Sequence, residues 1–328
     1  MFRLILTLFA WIAFAAIAAP TAPTAPGETP PLPVSEYPRP PAGILETQIA
    51  LARRNISSGS IDGKSGPQTR QALIAFQEEH ALDATGSPDT ATLDALTLDA
   101  PPLTTRAFTA GELTTLHPVP PTWLDKSRQT TLAYATALEM AAEQSHASPA
   151  LLRQLNPGVD WDKITEGVTI TIPDVSPATR AAIARVGEKA ARIIISLGEH
   201  TLQARADDGR LLAHFPVSIA RDIEKRPVGT LHVKVIAPNP NYTFDPEIFT
   251  ESQEGRELGR KLIIPPGPNN PVGLVWIGLD LSGYGIHGTP EPEKVGRTES
   301  HGCFRLANWN ALALLELIEV GADVYVLP

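Results

Sequence analysis

The chain has 328 residues, a formal charge of −9 and a pI near 5.4. That length exceeds one ordinary domain and leaves room for two or three, while the acidic balance argues against nucleic acid or an anionic membrane surface as partner, since both select basic patches. Cys303 is the only cysteine, which excludes an internal disulfide and a cysteine-built zinc site, and the histidines form no His-x-x-x-His pair. With glycine-rich phosphate loops also missing, neither a metal nor a cofactor is expected.

Met1-Phe2-Arg3 is a short basic start, Leu4 to Ala18 is apolar, and Ala16-Ile17-Ala18 offers a small-x-small cleavage site. A Sec-type signal peptide is expected over 1–18, with the mature chain in the periplasm or cell envelope. The apolar run falls short of the ~20 residues that a spanning helix needs, so no stable membrane anchor is expected after cleavage. Residues 19–42 are proline-rich and read as an extended, semi-rigid linker.

From Ile44 to Leu96 the pattern is helical, with Pro67 where a helix can begin. Gly66-x-x-Thr69-x-x-Ala72-Leu73 recurs as Asp89-x-x-Thr92-x-x-Ala95-Leu96. Ile61-Asp62-Gly63-x-x-Gly66-x-x-Thr69 followed by Ala75-Phe76-Gln77 resembles the three-helix peptidoglycan-binding domain of cell-wall enzymes, with 43–98 as its bounds. The resemblance implies glycan binding, although Asp62 and Gly63 also serve as turn residues and Phe76 as core.

Between 130 and 174 the signature changes. Leu138, Ala141 and Ala142 have helical spacing, Ser148-Pro149 opens a second helix through Leu151, Leu152 and Leu155, and Asn156-Pro157-Gly158 ends it. Val168 to Pro173 alternates as a strand. Leu152-x-x-Leu155-Asn156-Pro157 with a terminal Ile170-x-Ile172-Pro173 resembles LysM, a βααβ module, but Ala135-Thr136-Ala137-Leu138 departs from the usual Gly-Asp-Thr-Leu entry. Sugar binding by this module is left open.

Beyond it, Ala178 to Ala191 is helix-prone, Ile193-Ile194-Ile195 reads as a buried strand, and Asp207-Asp208-Gly209 predicts a hairpin turn. Many short strands punctuated by Gly and Pro argue for a mainly-β domain over 190–328. Cys303 and its neighbours supply the chemistry. A free thiol with a pKa near ~8.5 needs an imidazole partner to become a nucleophile, and His287 is placed for that role. Gly302 lets consecutive amides converge on one oxyanion.

His287-Gly288-Thr289 followed by Ser300-His301-Gly302-Cys303-Phe304-Arg305 resembles the YkuD-type catalytic domain of the L,D-transpeptidases, enzymes that cross-link bacterial peptidoglycan. Arg226 to Thr230, Pro265 to Pro268, Asn270 to Gly273, Trp276 to Leu279 and Gly285-Ile286 resemble family blocks in family order. The implied protein is multidomain α+β, with a three-helix peptidoglycan-binding domain, a LysM-like module and a mainly-β, sandwich-like catalytic domain. The implied reaction has Cys303 form a thioester with a peptidoglycan tetrapeptide stem, expel D-alanine and pass the acyl group to an amine in a 3→3 cross-link. Water or a protein lysine as acceptor would make it a carboxypeptidase, an endopeptidase or an anchoring enzyme.

The same resemblance implies His287 as base, oriented by the Gly288 carbonyl, amides of Gly302 and Cys303 as oxyanion donors, stem peptides and glycan as partners, and carbapenem-type inhibitors. His301 either bonds near the substrate or holds its loop, and Ser300 supports that loop. Arg305 either binds a substrate carboxylate or pairs with a structural acid. Tyr284 and Trp276 either line the cleft or fill the core, and Asn308 reads as structural. The two N-terminal modules are expected to position the enzyme without taking part in bond breaking. A non-catalytic wall-binding protein would be expected to have lost Cys303 or His287, and both are present.

Overall fold

The computed structural model describes residues 37–176, 187–247, 252–297 and 302–328. The signal segment, most of the proline-rich linker, residues 178–186 of the helix-prone stretch, and Ser300 and His301 lie outside the described residues. Three helices come first: α1 (Ile44–Ala52), α2 (Pro67–Glu79) and α3 (Thr90–Ala95). Pro67 sits at the start of α2, where its missing N–H forfeits no helical bond. Asp89 caps α3 by accepting from the Thr92 amide at 2.9 Å.

The sequence repeat corresponds to two buried glutamines with matching tasks. Gln48 Nε2 donates to Asp62 Oδ1, the Lys64 carbonyl and Thr69 Oγ1, while its Oε1 accepts from the Asp62 and Gly63 amides. Gln77 Nε2 donates to Thr85 Oγ1, the Ser87 carbonyl and Thr92 Oγ1, and its Oε1 accepts from the Gly86 amide. Gly63 and Gly86, at φ 71° and 67°, take the left-handed conformation that lets each loop wrap its glutamine. Leu51, Leu73, Phe76 and Leu96 form the core beneath.

β1 (Leu103–Ala107) pairs antiparallel with β2 (Thr169–Pro173), and α4 (Ala110–Thr114), α5 (Trp123–Ser127), α6 (Ala137–Gln144) and α7 (Pro149–Leu155) lie between them in sequence. The partner of β2 thus lies upstream of residue 130. Leu103-Thr-Thr-Arg-Ala107 carries one large apolar side chain and stays largely exposed, so period-2 patterning does not betray it. Leu138, Met140, Leu152, Trp161 and Ile170 share a core here with Ile49 of α1 and Ile61 of the loop between α1 and α2.

The strands from residue 192 onward, β3 (Arg192–Ser196), β4 (Thr201–Arg205), β5 (Leu211–Pro216), β6 (Gly229–Pro238), β9 (Val275–Leu279), β10 (Gly285–His287), β11 (Phe304–Arg305) and β12 (Asp323–Leu327), form one sheet in the order β11-β10-β9-β6-β12-β3-β4-β5. β7 (Tyr242–Phe244) and β8 (Leu262–Ile264) make a separate antiparallel pair. The β4–β5 hairpin turns at Gly209, φ 88°. The large sheet curls until its ends meet: Ser218, just past β5, and Arg305 of β11 exchange two backbone bonds of 3.0 Å. Curling buries one face, where Ile193, Ile195, Phe215, Ile277, Ile286, Phe304 and Val324 pack with Leu314 of α9 (Asn308–Leu317). The helix α8 (Gln253–Leu258) precedes β8.

The helical modules are built into this sheet, because residues 37–328 cluster as one unit. The first turn of α9 reaches both of them. Asn308 Nδ2 donates to the Glu143 carboxylate of α6, Trp309 stacks on His146 with centroids 5.2 Å apart, and Asn310 Nδ2 donates to Ser57 Oγ at 3.2 Å. His214 of β5 exchanges backbone bonds with Asn55 and Ser57. Phe244, Leu262 and Ile264 of the β7–β8 pair bury Leu132.

Candidate active site

The site grows from the register of three strands. β10 pairs parallel with β11, setting His287 opposite Arg305 and Ile286 opposite Phe304, and antiparallel with β9, setting His287 opposite Trp276. Strand side chains alternate between faces. Ile286 and Phe304 turn into the core, at 0 % and 1 % exposure, so His287, Arg305, Trp276 and, one position before β11, Cys303 share the other face.

His287 is held from two sides. Its Nδ1 lies 2.6 Å from the Gly288 carbonyl, which only accepts, so Nδ1 carries the proton and Nε2 presents the lone pair. Trp276 stacks on the ring with centroids 5.7 Å apart and planes 25° apart. That indole fits because Gly278 and Gly285 have no side chains: a Cβ on Gly285 would stand 2.7 Å from it and one on Gly278 3.0 Å. Trp276 is a half-buried wall of the site rather than core.

Cys303 is half-buried, and its thiol reaches the Gly283 carbonyl at 3.5 Å. Tyr284 stands beside Gly302, with a ring carbon 3.8 Å from where a Cβ on that glycine would sit, and its hydroxyl donates to the Lys225 carbonyl at 2.9 Å. Arg305 is half-buried, and no carboxylate among the described residues forms an ion pair with it. Ser300 and His301 fall outside the described residues, so their expected places in the loop stay expectations.

Burial sets the protonation states, and it opposes a thiolate at rest. It pushes the His287 imidazole down to about 4, with the Gly288 carbonyl acting the other way and the Arg305 charge adding to the depression. It pushes the Cys303 thiol above its ordinary range, against smaller opposite effects of the Gly285 amide and Arg305. The resting pair is a neutral thiol and a neutral imidazole.

One residue near the site was not singled out in the sequence, and another was read there as structural only. Tyr242 of β7 feels both Cys303 and Arg305, and burial is the main cause that pushes its phenol upward. No motif marks it, since it arrives from a separate strand pair. Asn308, expected to be structural, accepts from the Leu274 amide at 3.1 Å and packs against Gly273 and Gly288 so closely that a Cβ on either would come within 2.0 and 2.2 Å of its Oδ1. Its place five residues past Cys303 in a buried helix start was the available signal. Among the described residues, no group of three or more His, Cys, Asp or Glu side chains is assembled to hold a metal.

Residues 190–326 match the family described as the L,D-transpeptidase catalytic domain, and residues 41–96 match a peptidoglycan-binding domain family. A Bacillus licheniformis protein named L,D-transpeptidase YkuD is 27% identical over 192 residues, covering 58% of this chain and 93% of its own. An Escherichia coli protein named L,D-transpeptidase ErfK/SrfK is 30% identical over 197 residues, covering 58% of this chain and 59% of its own. A solved L,D-transpeptidase from Mycobacterium smegmatis superposes with a TM-score of 0.33 at 19% identity, covering 51% of this chain and 65% of that one. Residues 190–326 form an L,D-transpeptidase catalytic domain of the YkuD type, carried behind a peptidoglycan-binding domain at 41–96, and the chain is an L,D-transpeptidase enzyme.

Proposed function

We propose that Cys303 attacks the carbonyl between the third and fourth residues of a peptidoglycan tetrapeptide stem. The observation that carries this is the strand register that puts Cys303 and His287 on one face, with the His287 Nδ1 proton already committed to the Gly288 carbonyl. From the neutral pair, the thiol proton passes to His287 Nε2 as sulfur bonds to carbon, and the oxyanion faces the amides of Gly302 and Cys303. Collapse breaks the C–N bond, the proton moves from His287 to the departing D-alanine nitrogen, and a thioester remains. An acceptor amine then attacks the thioester and gives up a proton through His287. Sulfur leaves, recovers a proton, and the 3→3 cross-link is complete.

Arg305, lacking an acidic partner among the described residues, is suited to a stem carboxylate, with Tyr284 and Trp276 as cleft walls. The domain at 41–96 is proposed to hold peptidoglycan, and residues 1–18 to export the chain to the envelope where that substrate lies. A carbapenem, whose strained carbonyl stands in for the scissile one, is the proposed inhibitor class. The test is mass spectrometry of the purified protein with a defined tetrapeptide muropeptide. Loss of D-alanine with a 3→3 dimer, and neither product from Cys303→Ala, is expected; dimer formation by Cys303→Ala would overturn the assignment. D-alanine release without dimer would identify water as the acceptor.

A further inference from the structure

Every group named in the reaction belongs to the catalytic domain, yet the contacts that hold the peptide orienting His287 run on to a residue outside it. The Gly288 carbonyl that takes the Nδ1 proton belongs to a short segment clasped between β9 and Asn308: the Gly288 amide donates to the Val275 carbonyl at 3.2 Å, and the Asn308 side chain lies flush against the backbones of Gly288 and Gly273. Asn308 is fully buried, and its Oδ1 accepts from the Leu274 amide. Its Nδ2 donates to the Pro268 carbonyl at 3.2 Å and to both carboxylate oxygens of Glu143, at 3.1 and 3.0 Å.

Glu143 is the unusual member. It sits on α6, some 47 residues before the catalytic domain begins at 190, and is 8 % exposed. No cation pairs with it among the described residues; its partners are Asn308 and the Tyr134 hydroxyl, which donates at 2.9 Å. Burying an acid without a counter-charge is costly. Burial holds its carboxyl up at about 7. A packing role alone would be served by an apolar side chain of similar size.

Resting on the reading of His287 as the base, we propose that Glu143 is a positioning residue for that histidine, acting from the helical module through Asn308 and the Gly288 peptide. Glu143 fixes the rotation of the Asn308 amide, Asn308 fixes the Gly273-Leu274 and Gly288 backbones, and Gly288 fixes the ring and tautomer that leave Nε2 free to take the thiol proton. Catalytic competence then depends on the module being seated on the catalytic domain.

The full chain is used for the test, with Glu143→Ala, Glu143→Gln and, as a control of similar truncation elsewhere in the module, Leu152→Ala. Two quantities are read: the rate of Cys303 acylation by a carbapenem, and the imidazole ¹⁵N and Nδ1–H resonances of His287. Glu143→Ala is expected to lower the acylation rate by ~10-fold or more and to shift the His287 resonances toward mixed tautomers, as loss of an orienting partner for a general base does. Glu143→Gln, which still accepts from Asn308, is expected to restore most of both, and Leu152→Ala to leave the resonances in place. Unchanged resonances and rate in Glu143→Ala, or an equal shift in Leu152→Ala, would overturn the proposal. Should Glu143→Ala fail to fold, Glu143→Asp decides: its shorter carboxylate is expected to lower the rate and shift the resonances, and wild-type behaviour overturns the proposal. The resonances judge the positioning role even if the wild type is not acylated at Cys303, an outcome that would strike the function reading instead.

Discussion

A neutral Cys303–His287 pair predicts a particular pH response. The thiol is raised and the imidazole lowered, both chiefly by burial, so thiolate does not accumulate until the pH exceeds the ordinary thiol range near ~8.5. Alkylation of Cys303 by iodoacetamide is expected to climb continuously through pH 8–9; a plateau already reached near pH 5 would signal a preformed thiolate–imidazolium pair. With no thiolate at rest, acylation near pH 7 depends on proton transfer to His287, and His287→Ala is expected to slow it by ~10²-fold or more. The pair itself was legible in the sequence, because a lone cysteine after a glycine and an upstream His-Gly are local signals. Its charge state was not, since burial is a property of the folded sheet. Tyr242 and Glu143 were illegible for a related reason: they come from separate elements, and their neighbours along the chain carry no trace of the contact.

Among the elements, the sequence fixes those whose signals are local. Pro67 marked the start of α2, and Asp207-Asp208-Gly209 marked the β4–β5 turn. β1 escaped because a strand that buries little shows little pattern, and its place is set instead by a distant arginine. Arg53, 4 % exposed at the end of α1, donates to the Ala100, Pro101 and Asp174 carbonyls at 3.0, 2.6 and 2.8 Å, and meets the Asp174 carboxylate at 3.1 Å. Those carbonyls lie just before β1 and just after β2, so one guanidinium pins both ends of the strand pair to the helical domain. Arg53→Met keeps the stem's bulk but strands three acceptors and a carboxylate, and is expected to cost ~3–5 kcal/mol. Denaturant unfolding of the two proteins measures it, and a difference below ~1 kcal/mol would show that water replaces the guanidinium without penalty.

At the scale of the whole molecule, burial again decides, first through pH. His146, His214 and His287 are each driven down to about 4 by burial, whereas an unfolded histidine titrates near ~6.5. Between those values the unfolded chain binds protons that the folded chain refuses, so stability falls as the pH drops through that window, by on the order of 3 kcal/mol per histidine once near pH 4. Glu143, held at about 7, works in the opposite sense over a similar range, because there the folded chain keeps a proton that the unfolded one releases. Three groups outweigh one. The melting temperature is expected to fall steeply below pH 6, and a flat profile down to pH 4.5 would mean that these rings are not buried neutral. The second consequence bears on the division of labour expected from sequence. Composition marks modules as separate runs, and contacts between them leave no periodic trace; here α9 binds both modules within three consecutive residues, and Leu211 of β5 packs into the helical core. A chain beginning at residue 190 would expose Leu211 and Phe244, leave Asn308 without Glu143, and uncover the His214 backbone that pairs with Asn55 and Ser57. It is expected to melt well below the full chain and to acylate Cys303 with a carbapenem more slowly, beyond any loss of affinity for peptidoglycan sacculi. Melting temperature and adduct mass against time, measured on both proteins, check this; a truncated chain that matches the full one in both would make the modules independent of the chemistry.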